Sequence, residues 1–234
     1  MSNALSPSDG ENRASIVAAR RFFLLFVYLL AYLIVDPYLE NTGAGYVLVR
    51  VAGSVGIFIV LYAISRRRTI LFVGIALAIP ALLQLLLQFR ADAGTLSVIN
   101  IVLSFSFDVF VVVVIFRRVI MEEQPTAETI FGALCIYLLV GFTFASVYGM
   151  IATLQPRAFY LDPMVNTHVT PDRFDFIYYS FATMTSVGAS GIVPASRQAR
   201  SVTIIEATLG VLYLAVLIAR LIGSYKRPLA ARGD

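Results

Sequence analysis

Apolar residues of this chain fall into six long runs that are separated by short polar stretches. The runs cover about residues 22–38, 46–64, 70–89, 96–116, 129–154 and 202–225. Each run approaches the length of about 20 residues that a helix needs to cross a bilayer, and Pro80 predicts a kink in the third. The helix predicted between the fifth and sixth runs ends at about Met184 and is too short to cross, so this stretch must enter the membrane and return. The sequence therefore predicts an all-α membrane protein with six transmembrane helices and a re-entrant helix and loop.

The composition agrees with a membrane protein. The 234 residues are 59% hydrophobic and 14% charged, with a mean hydropathy of +0.84. A soluble domain could not bury apolar runs of this length. Residues 1–19 are polar, and we expect a disordered cytoplasmic tail over residues 1–15. The pI near 9.3 does not indicate nucleic-acid binding, because the basic residues cluster at the ends of the runs.

The same basic residues predict the orientation of the chain. Arg20 and Arg21 precede the first run, residues 66–68 join the second to the third, and Arg117 and Arg118 follow the fourth. The alternate loops hold acids and few bases. By the positive-inside rule, both termini lie in the cytoplasm and the loop between the fifth and sixth runs lies outside. We expect an integral protein of the plasma (inner) membrane, in contact with the lipid bilayer.

The first four runs, within residues 16–120, predict a four-helix domain that does not sense voltage. A voltage sensor needs several charges, because one charge moved through 100 mV is worth about 2.3 kcal/mol, and the fourth run contains no basic residue. Asp108 and Arg50 are costly at membrane depth. Two interpretations stay open for them. Either they pair with each other, or Arg50 reaches outward to amides or headgroups while Asp108 bonds to a hydroxyl such as that of Ser106.

The re-entrant stretch begins with a helix signal. In Thr170-Pro171-Asp172, Thr170 is the predicted capping residue and Pro171 takes the first helical position. The helix should end at about Met184, and its C-terminal dipole favours cations. The loop that follows, residues 185–191, is rich in hydroxyl groups and glycine. Backbone carbonyls of such a loop can replace the hydration shell of an ion.

This loop resembles the filter of tetrameric potassium channels, which reads Thr-Val-Gly-Tyr-Gly-Asp. The corresponding residues here are Ser186-Val187-Gly188-Ala189-Ser190-Gly191. The segments Ile130 to Gly141 and Arg200 to Leu221 are similar to the outer and inner helices of six-helix bacterial potassium-channel-like proteins without a voltage sensor. The resemblance covers about residues 126–225, and it identifies them as the pore domain of a P-loop cation channel.

The resemblance assigns roles to individual residues. It implies a selectivity filter formed by Thr185, Ser186, Val187, Gly188, Ala189 and Ser190. It implies support of that filter by Tyr178, Tyr179, Thr183 and Glu206. Glu206 either braces the filter from behind or is a hydrogen-bonded core acid. Gly210 is either a gating hinge or a close-packing glycine against the fifth helix, whose Gly141, Ala145 and Gly149 form a stripe of small residues.

The outer half of the filter departs from the family pattern. Ser190 replaces a glycine that adopts a left-handed backbone, at a strain of about 1–2 kcal/mol per subunit. Ala189 replaces an aromatic residue, and Gly191 replaces an acid. Ala182 lacks the carboxylate that pairs with that acid in some relatives. These differences predict a wider outer mouth with weakened potassium selectivity.

The predicted protein is a homotetrameric cation channel, since one chain supplies one re-entrant helix and one filter strand. We expect no cofactor, a permeant monovalent cation (K⁺ first), and no metal beyond permeant ions at the filter carbonyls. The single histidine and single cysteine exclude a His/Cys metal cluster within one subunit. The expected partners are other copies of the chain and the bilayer. Residues 226–234 form a short cytoplasmic tail without a soluble ligand-binding domain.

Two alternatives belong to other functional classes. In the first, the chain keeps the channel fold but conducts poorly and serves as a partner or regulator of another subunit. In the second, Gly188-Ala189-Ser190-Gly191 resembles the nucleophile motif of rhomboid intramembrane proteases. That motif needs a histidine after the serine as the base, and His168 precedes Ser190. The sequence therefore favours a protein that is not an enzyme.

Overall fold

The computed structural model describes residues 7–39, 95–121, 127–188 and 191–225, together with isolated positions between 55 and 79. The described elements are α1 (Pro7–Leu39), α2 (Thr95–Met121), α3 (Ala127–Leu154), β1 (Phe159–Leu161), α4 (Arg173–Met184), β2 (Ile192–Pro194) and α5 (Arg197–Tyr225). This part of the chain is mostly helical. Its contacts form two compact units, one within Met1–Phe89 and Phe110–Ile136 and the other within Arg90–Val109 and Tyr137–Asp234.

Four helices correspond to predicted apolar runs. The first, fourth, fifth and sixth runs are α1, α2, α3 and α5. Among the described residues, three segments are long and apolar enough to cross a membrane: Arg20–Leu39, Glu128–Leu154 and Arg197–Arg220. The second and third runs, with Arg50 and Pro80, lie largely outside the described residues. The total of six transmembrane helices therefore stays a prediction.

Helix α1 differs from the prediction at its N-terminal end. It begins at Pro7, whereas the composition predicts a disordered tail up to residue 15. Proline suits the first helical position because its missing N–H would have no partner there. The residues that follow include the helix formers Ala, Glu and Arg. The polar tail and the apolar run therefore continue one another in a single helix.

The first unit has a core shared by α1, α2 and the start of α3. Phe22 is buried, and its carbonyl accepts a hydrogen bond from Sγ of Cys135 at 3.4 Å. The guanidinium of Arg118 lies 5.0 Å above the ring of Phe22 and pairs with Glu128. Arg118, predicted only as a membrane anchor, thus has a charged partner at the start of α3.

The second unit places α4 against the small residues of α3. A Cβ added at Gly141 would lie 2.7 Å from the ring of Phe181, whereas one at Gly149 would lie 3.8 Å from Phe176. Phe181 also contacts Phe142, with ring centroids 5.5 Å apart. The stripe was one of two alternatives for the role of Gly210, as its packing partner, but Gly141 lies against Phe181 of α4 instead. Aromatic side chains of α4 lie against Gly141 and Gly149 of this stripe.

An aromatic cluster joins α3, β1 and α4. Its members are Tyr148, Phe159, Phe176 and Tyr179, with neighbouring ring centroids 4.9–5.7 Å apart in edge-to-face arrangements. Edge-to-face contacts match the positive edge of one ring to the negative face of another. The cluster therefore sets the position of α4 relative to the strand that precedes it.

A short antiparallel pair of strands was not predicted from the sequence. Leu161 of β1 pairs with Ile192 of β2, and Phe159 pairs with Pro194. The carbonyl of Ala158 extends the pairing by accepting bonds from the next two N–H groups after β2, at 2.8 and 3.1 Å. Strands of three residues are too short to show an alternating pattern. The pair holds the chain before α4 beside the chain that follows the predicted filter.

Asp108 of α2 has one fewer candidate partner than the sequence suggests. The hydroxyl of Ser106 donates to the carbonyl of Val102 at 2.7 Å on its own helix, so its proton is not available to Asp108. Such back-bonding is common for hydroxyls inside apolar helices. Arg50, the other predicted partner, lies outside the described residues.

We expect Gly141→Ala and Gly149→Ala to change stability in opposite directions. An alanine at 141 must displace the Phe181 ring, and overpacking of this kind costs about 1–3 kcal/mol. An alanine at 149 meets only ordinary contacts and gains about 1 kcal/mol of helix propensity. Thermal midpoints of the purified variants in one detergent measure both effects. Equal midpoints would contradict the close packing of α3 on α4.

Candidate functional site

Helix α4 begins with a capping box. The N–H of Asp175 donates to Oδ1 of Asp172, and the N–H of Asp172 donates to Oδ2 of Asp175, both at 2.9 Å. The N-cap is therefore Asp172, and the prediction of Thr170 as the cap is wrong. A helix capped by Thr170 would have Arg173 at its third position, which cannot accept the returning hydrogen bond.

The C-terminal end of α4 lies at Met184, as predicted, and closes with a left-handed cap. Ser186 has φ 57°. Its N–H donates to the Thr183 carbonyl at 3.1 Å, and the N–H of Val187 donates to the Ala182 carbonyl at 3.0 Å. These two bonds define a Schellman motif, in which the left-handed position is usually glycine. Ser186 therefore carries backbone strain of about 1 kcal/mol.

The first residues of the predicted filter follow this cap, and their backbone N–H groups point toward the helix. Gly188 also donates its N–H to the Ala182 carbonyl, at 3.2 Å, and has φ 83°. The carbonyls of Thr185, Ser186 and Val187 accept none of these capping bonds. All of these residues are exposed in the single chain, Val187 by 79%. The loop thus has carbonyl groups available beyond the negative end of the helix dipole.

The left-handed backbone at Ser186 was not predicted from the sequence. Strain was expected at Ser190, but Ala189 and Ser190 lie outside the described residues. Within the described part of the filter, positive φ angles occur at Ser186 and Gly188. The left-handed pattern therefore starts at the inner end of the predicted filter. A serine two residues after the predicted helix end, where a cap prefers glycine, was the available signal.

Gly191 is required by its own backbone. It has φ 100°, and a Cβ there would lie 2.9 Å from Nδ2 of Asn166 and 3.1 Å from Val165. The filter pattern of the potassium channels has an acid at this position. An aspartate at this position would combine left-handed strain with a collision. The outer end of the loop therefore differs from the family pattern in its packing as well as in its residue type.

Glu206 of α5 links three helices. Its side chain is 0% exposed and is hydrogen-bonded to the Tyr148 hydroxyl of α3 and the Ser180 hydroxyl of α4. Ser180 Oγ also lies 2.7 Å from the carbonyl of Gly141. Glu206 is thus a hydrogen-bonded core acid against the middle of α4. Its predicted role in bracing the filter stays a prediction.

The two predicted aromatic supports have different surroundings within one chain. Tyr179 is 4% exposed, and its hydroxyl lies 2.8 Å from Oγ1 of Thr203. Because Thr203 donates its own proton to the Ala199 carbonyl, Tyr179 is the donor to Thr203. Tyr178 is 44% exposed. Of these two tyrosines, Tyr179 is therefore the one that packs between α4 and α5.

Gly210 packs against the end of α4. A Cβ at Gly210 would lie 2.6 Å from the carbonyl oxygen of Met184 and 2.9 Å from its Cα. The close-packing alternative is therefore supported, although the partner is α4 rather than the fifth predicted helix. The backbones of the inner helix and of the residue before the filter touch directly at this point.

Residues 132–226 match the family model of ion channels. This segment is about two fifths of the chain and contains most of α3, all of α4 and α5, and the loop between them. The match supports an ion-channel pore domain and a channel-like function in ion transport, and it disfavours an enzyme. With the three apolar spans, it indicates a membrane protein. No curated protein and no solved structure matches the chain.

A histidine and two acids meet at the start of α4 in the channel domain. His168 Nε2 lies 2.6 Å from Oδ2 of Asp175 and 3.9 Å from Oδ2 of Asp172, and such a group could hold a metal ion. Both carboxylates, however, already accept the N–H groups of the capping box, and the positive end of a helix dipole disfavours a cation. The hydrogen bond to Asp175 and the charge of Asp175 raise the pKa of His168.

We expect Gly210→Ala to lower the stability of the channel domain. If Gly210 were only a hinge, alanine would stabilise the helix by about 1 kcal/mol. If it is a contact, the new methyl group must displace the Met184 carbonyl, at a cost of about 1–3 kcal/mol. The two interpretations predict opposite signs for the change in thermal midpoint. A raised midpoint would show that the Met184 contact is not close in solution.

His168 should make stability depend on pH. A raised folded pKa means that folding favours the protonated imidazole, so the stabilisation is complete below the unfolded pKa of about 6.5. It is lost as pH rises through the folded pKa. We expect the thermal midpoint of the wild type to exceed that of His168→Gln most at low pH, with the difference shrinking as pH rises. A difference that stays constant or grows with pH would contradict the ion pair with Asp175.

Proposed function

We propose that the chain is a subunit of a homotetrameric cation channel that conducts monovalent cations, K⁺ first, passively across the plasma membrane. The observation that carries this proposal is the loop after α4. Within a segment that matches ion channels, the carbonyls of residues 185–187 accept none of the capping bonds and follow the C-terminal end of a helix. Carbonyl oxygens and a negative dipole end are the groups that stabilise a partly dehydrated cation.

We infer a tetramer because one chain alone cannot surround an ion with carbonyl groups. One chain supplies a single α4 and a single loop, whereas an ion must be surrounded by carbonyls, and closed symmetric rings achieve this with identical subunits. Helix α5 also exposes large apolar side chains along its length. They include Leu209, Val211, Leu212, Val216 and Ile218. Lipid and neighbouring subunits would cover this surface, with both termini on the cytoplasmic side.

The proposed selectivity is weaker for K⁺ than in the family pattern. The inner filter, residues 185–188, keeps an alternation of left-handed positions, at Ser186 and Gly188. The outer filter has alanine and serine at residues 189 and 190, where the family has an aromatic residue and glycine. A filter with a regular inner half and an altered outer half has fewer well-formed ion sites. No cofactor is needed for this activity.

The deciding experiment is bi-ionic recording from the purified tetramer in planar bilayers, with K⁺ and Na⁺ on opposite sides. The wild type should carry passive current with a reversal potential displaced weakly toward that of K⁺. Its voltage dependence should be shallow, because α2 lacks a ladder of basic residues within the membrane. Ala189→Tyr combined with Ser190→Gly should move the reversal potential further toward K⁺. Gly191 is left unchanged because its backbone excludes a side chain.

Each outcome separates two functions. A stable monomer in several mild detergents would exclude the channel. A tetramer without current would favour the alternative of a partner or regulator subunit, which the altered outer filter also suits. A strongly K⁺-selective wild type, or a double variant with unchanged permeability ratios, would overturn the account of the outer filter. Cleavage of a model transmembrane substrate that Ser190→Ala abolishes would instead establish the protease.

A further inference from the structure

The carbonyl of Gly191, directly after the predicted filter, is bound by two donors from the loop before α4. The backbone N–H of Asp162 lies 2.8 Å from this oxygen, and Nδ2 of Asn166 lies 2.7 Å from it. The same Nδ2 lies 3.0 Å from the carbonyl of Asp162. Both neighbours of Nδ2 are carbonyl oxygens, so the amide must present its donor side. Asn166 therefore ties the two chain segments together.

These bonds continue the small sheet by one residue. Leu161 pairs with Ile192 at the end of the two strands, and Asp162 and Gly191 are the next residues along them. Residues 189 and 190 of the predicted filter directly precede Gly191 in the sequence. The position of the Gly191 carbonyl therefore determines where the outer end of the filter begins.

The filter is held at two points that are close in sequence. At the inner point, Gly188 donates its N–H to the Ala182 carbonyl of α4. At the outer point, Gly191 is bound by Asn166 and Asp162. Only residues 189 and 190 lie between these points. A shift of the outer point must therefore be taken up by two residues of the predicted filter.

Asparagine suits this place for two reasons. Its amide carries two N–H groups, which can serve two carbonyls, whereas aspartate would direct a carboxylate at them. Its Nδ2 also fills the space that a side chain at Gly191 would need, 2.9 Å from the Cβ position. The filter pattern of the family has an acid at residue 191. Here the contact to the outer filter comes instead from the loop before the pore helix.

We propose that Asn166 is a positioning residue that sets the geometry of the outer selectivity filter. This inference rests on the proposed channel function. Asn166 acts through the Gly191 carbonyl and makes no contact with an ion. Its loss should let the outer filter change width, and this should alter the relative permeability of K⁺ and Na⁺.

The test compares Asn166→Asp and Asn166→Ala with Thr167→Ala, a control in the same loop at an exposed position. In bi-ionic recordings, both Asn166 variants should change the permeability ratio by about two- to tenfold, the range that the loss of one hydrogen bond corresponds to. Thr167→Ala should match the wild type. If both Asn166 variants form tetramers with the wild-type ratio, the proposal is wrong.

A second measurement does not require current. Thermal midpoints of the tetramers are compared in K⁺ and in Na⁺, since a bound ion stabilises the state that binds it. A residue with only a structural role would lower both midpoints equally, and this result would overturn the proposal. A positioning residue should change the difference between the two salts. If Asn166→Asp does not assemble into tetramers, the midpoints of Asn166→Ala are measured instead.

The two readouts separate this inference from the proposed function. Current in the wild type with unaffected Asn166 variants overturns the inference alone. A wild type without current, but with a salt-specific midpoint that Asn166→Asp or Asn166→Ala alters, overturns conduction and supports the inference. A wild type with neither current nor a difference between K⁺ and Na⁺ overturns both.

Discussion

The segment that matches ion channels depends on how the C-terminal end of α4 is closed. Ser186 takes the left-handed position of the cap, and the amides of Val187 and Gly188 both turn to the Ala182 carbonyl. A helix end normally leaves its last carbonyls without partners. Here the cap provides donors for the carbonyls of Ala182 and Thr183, and none of its bonds uses a carbonyl of the following loop.

Close backbone contacts keep this helix end in place. Gly141 receives the ring of Phe181 from α4, and Gly210 receives the carbonyl of Met184. Neither glycine serves a turn, since both lie inside long helices, where glycine costs about 1 kcal/mol relative to alanine. Glycine is nevertheless required at each position, because a methyl group would displace the neighbouring Phe181 ring or Met184 carbonyl. Helix α4 is thereby held between Gly141 of α3 and Gly210 of α5 within one unit.

The buried acid Glu206 adds a polar link to these contacts. Acids inside membrane domains are expensive and require partners. Glu206 has two hydroxyl partners, Tyr148 and Ser180, on two other helices. Because hydrogen bonds have direction, this link sets the rotation of α4 about its axis, which apolar packing alone specifies less well.

The sequence by itself determined the long helices, the end of α4 at Met184 and the hydroxyl-rich loop after it. These features depend on local properties: the length of an apolar run and the residue types at a helix end. Only the tertiary structure decided the partner of Gly210, the requirement for glycine at residue 191 and the bond from Asn166 to a carbonyl 25 residues away. The start of α4 is different, because the sequence also carried its signal: Asp175 stands three residues after Asp172 and can return the bond of a capping box, whereas Arg173 cannot do this for Thr170. Contacts between residues far apart in the chain leave no periodic pattern, and a carbonyl offers the same acceptor whatever side chain it belongs to.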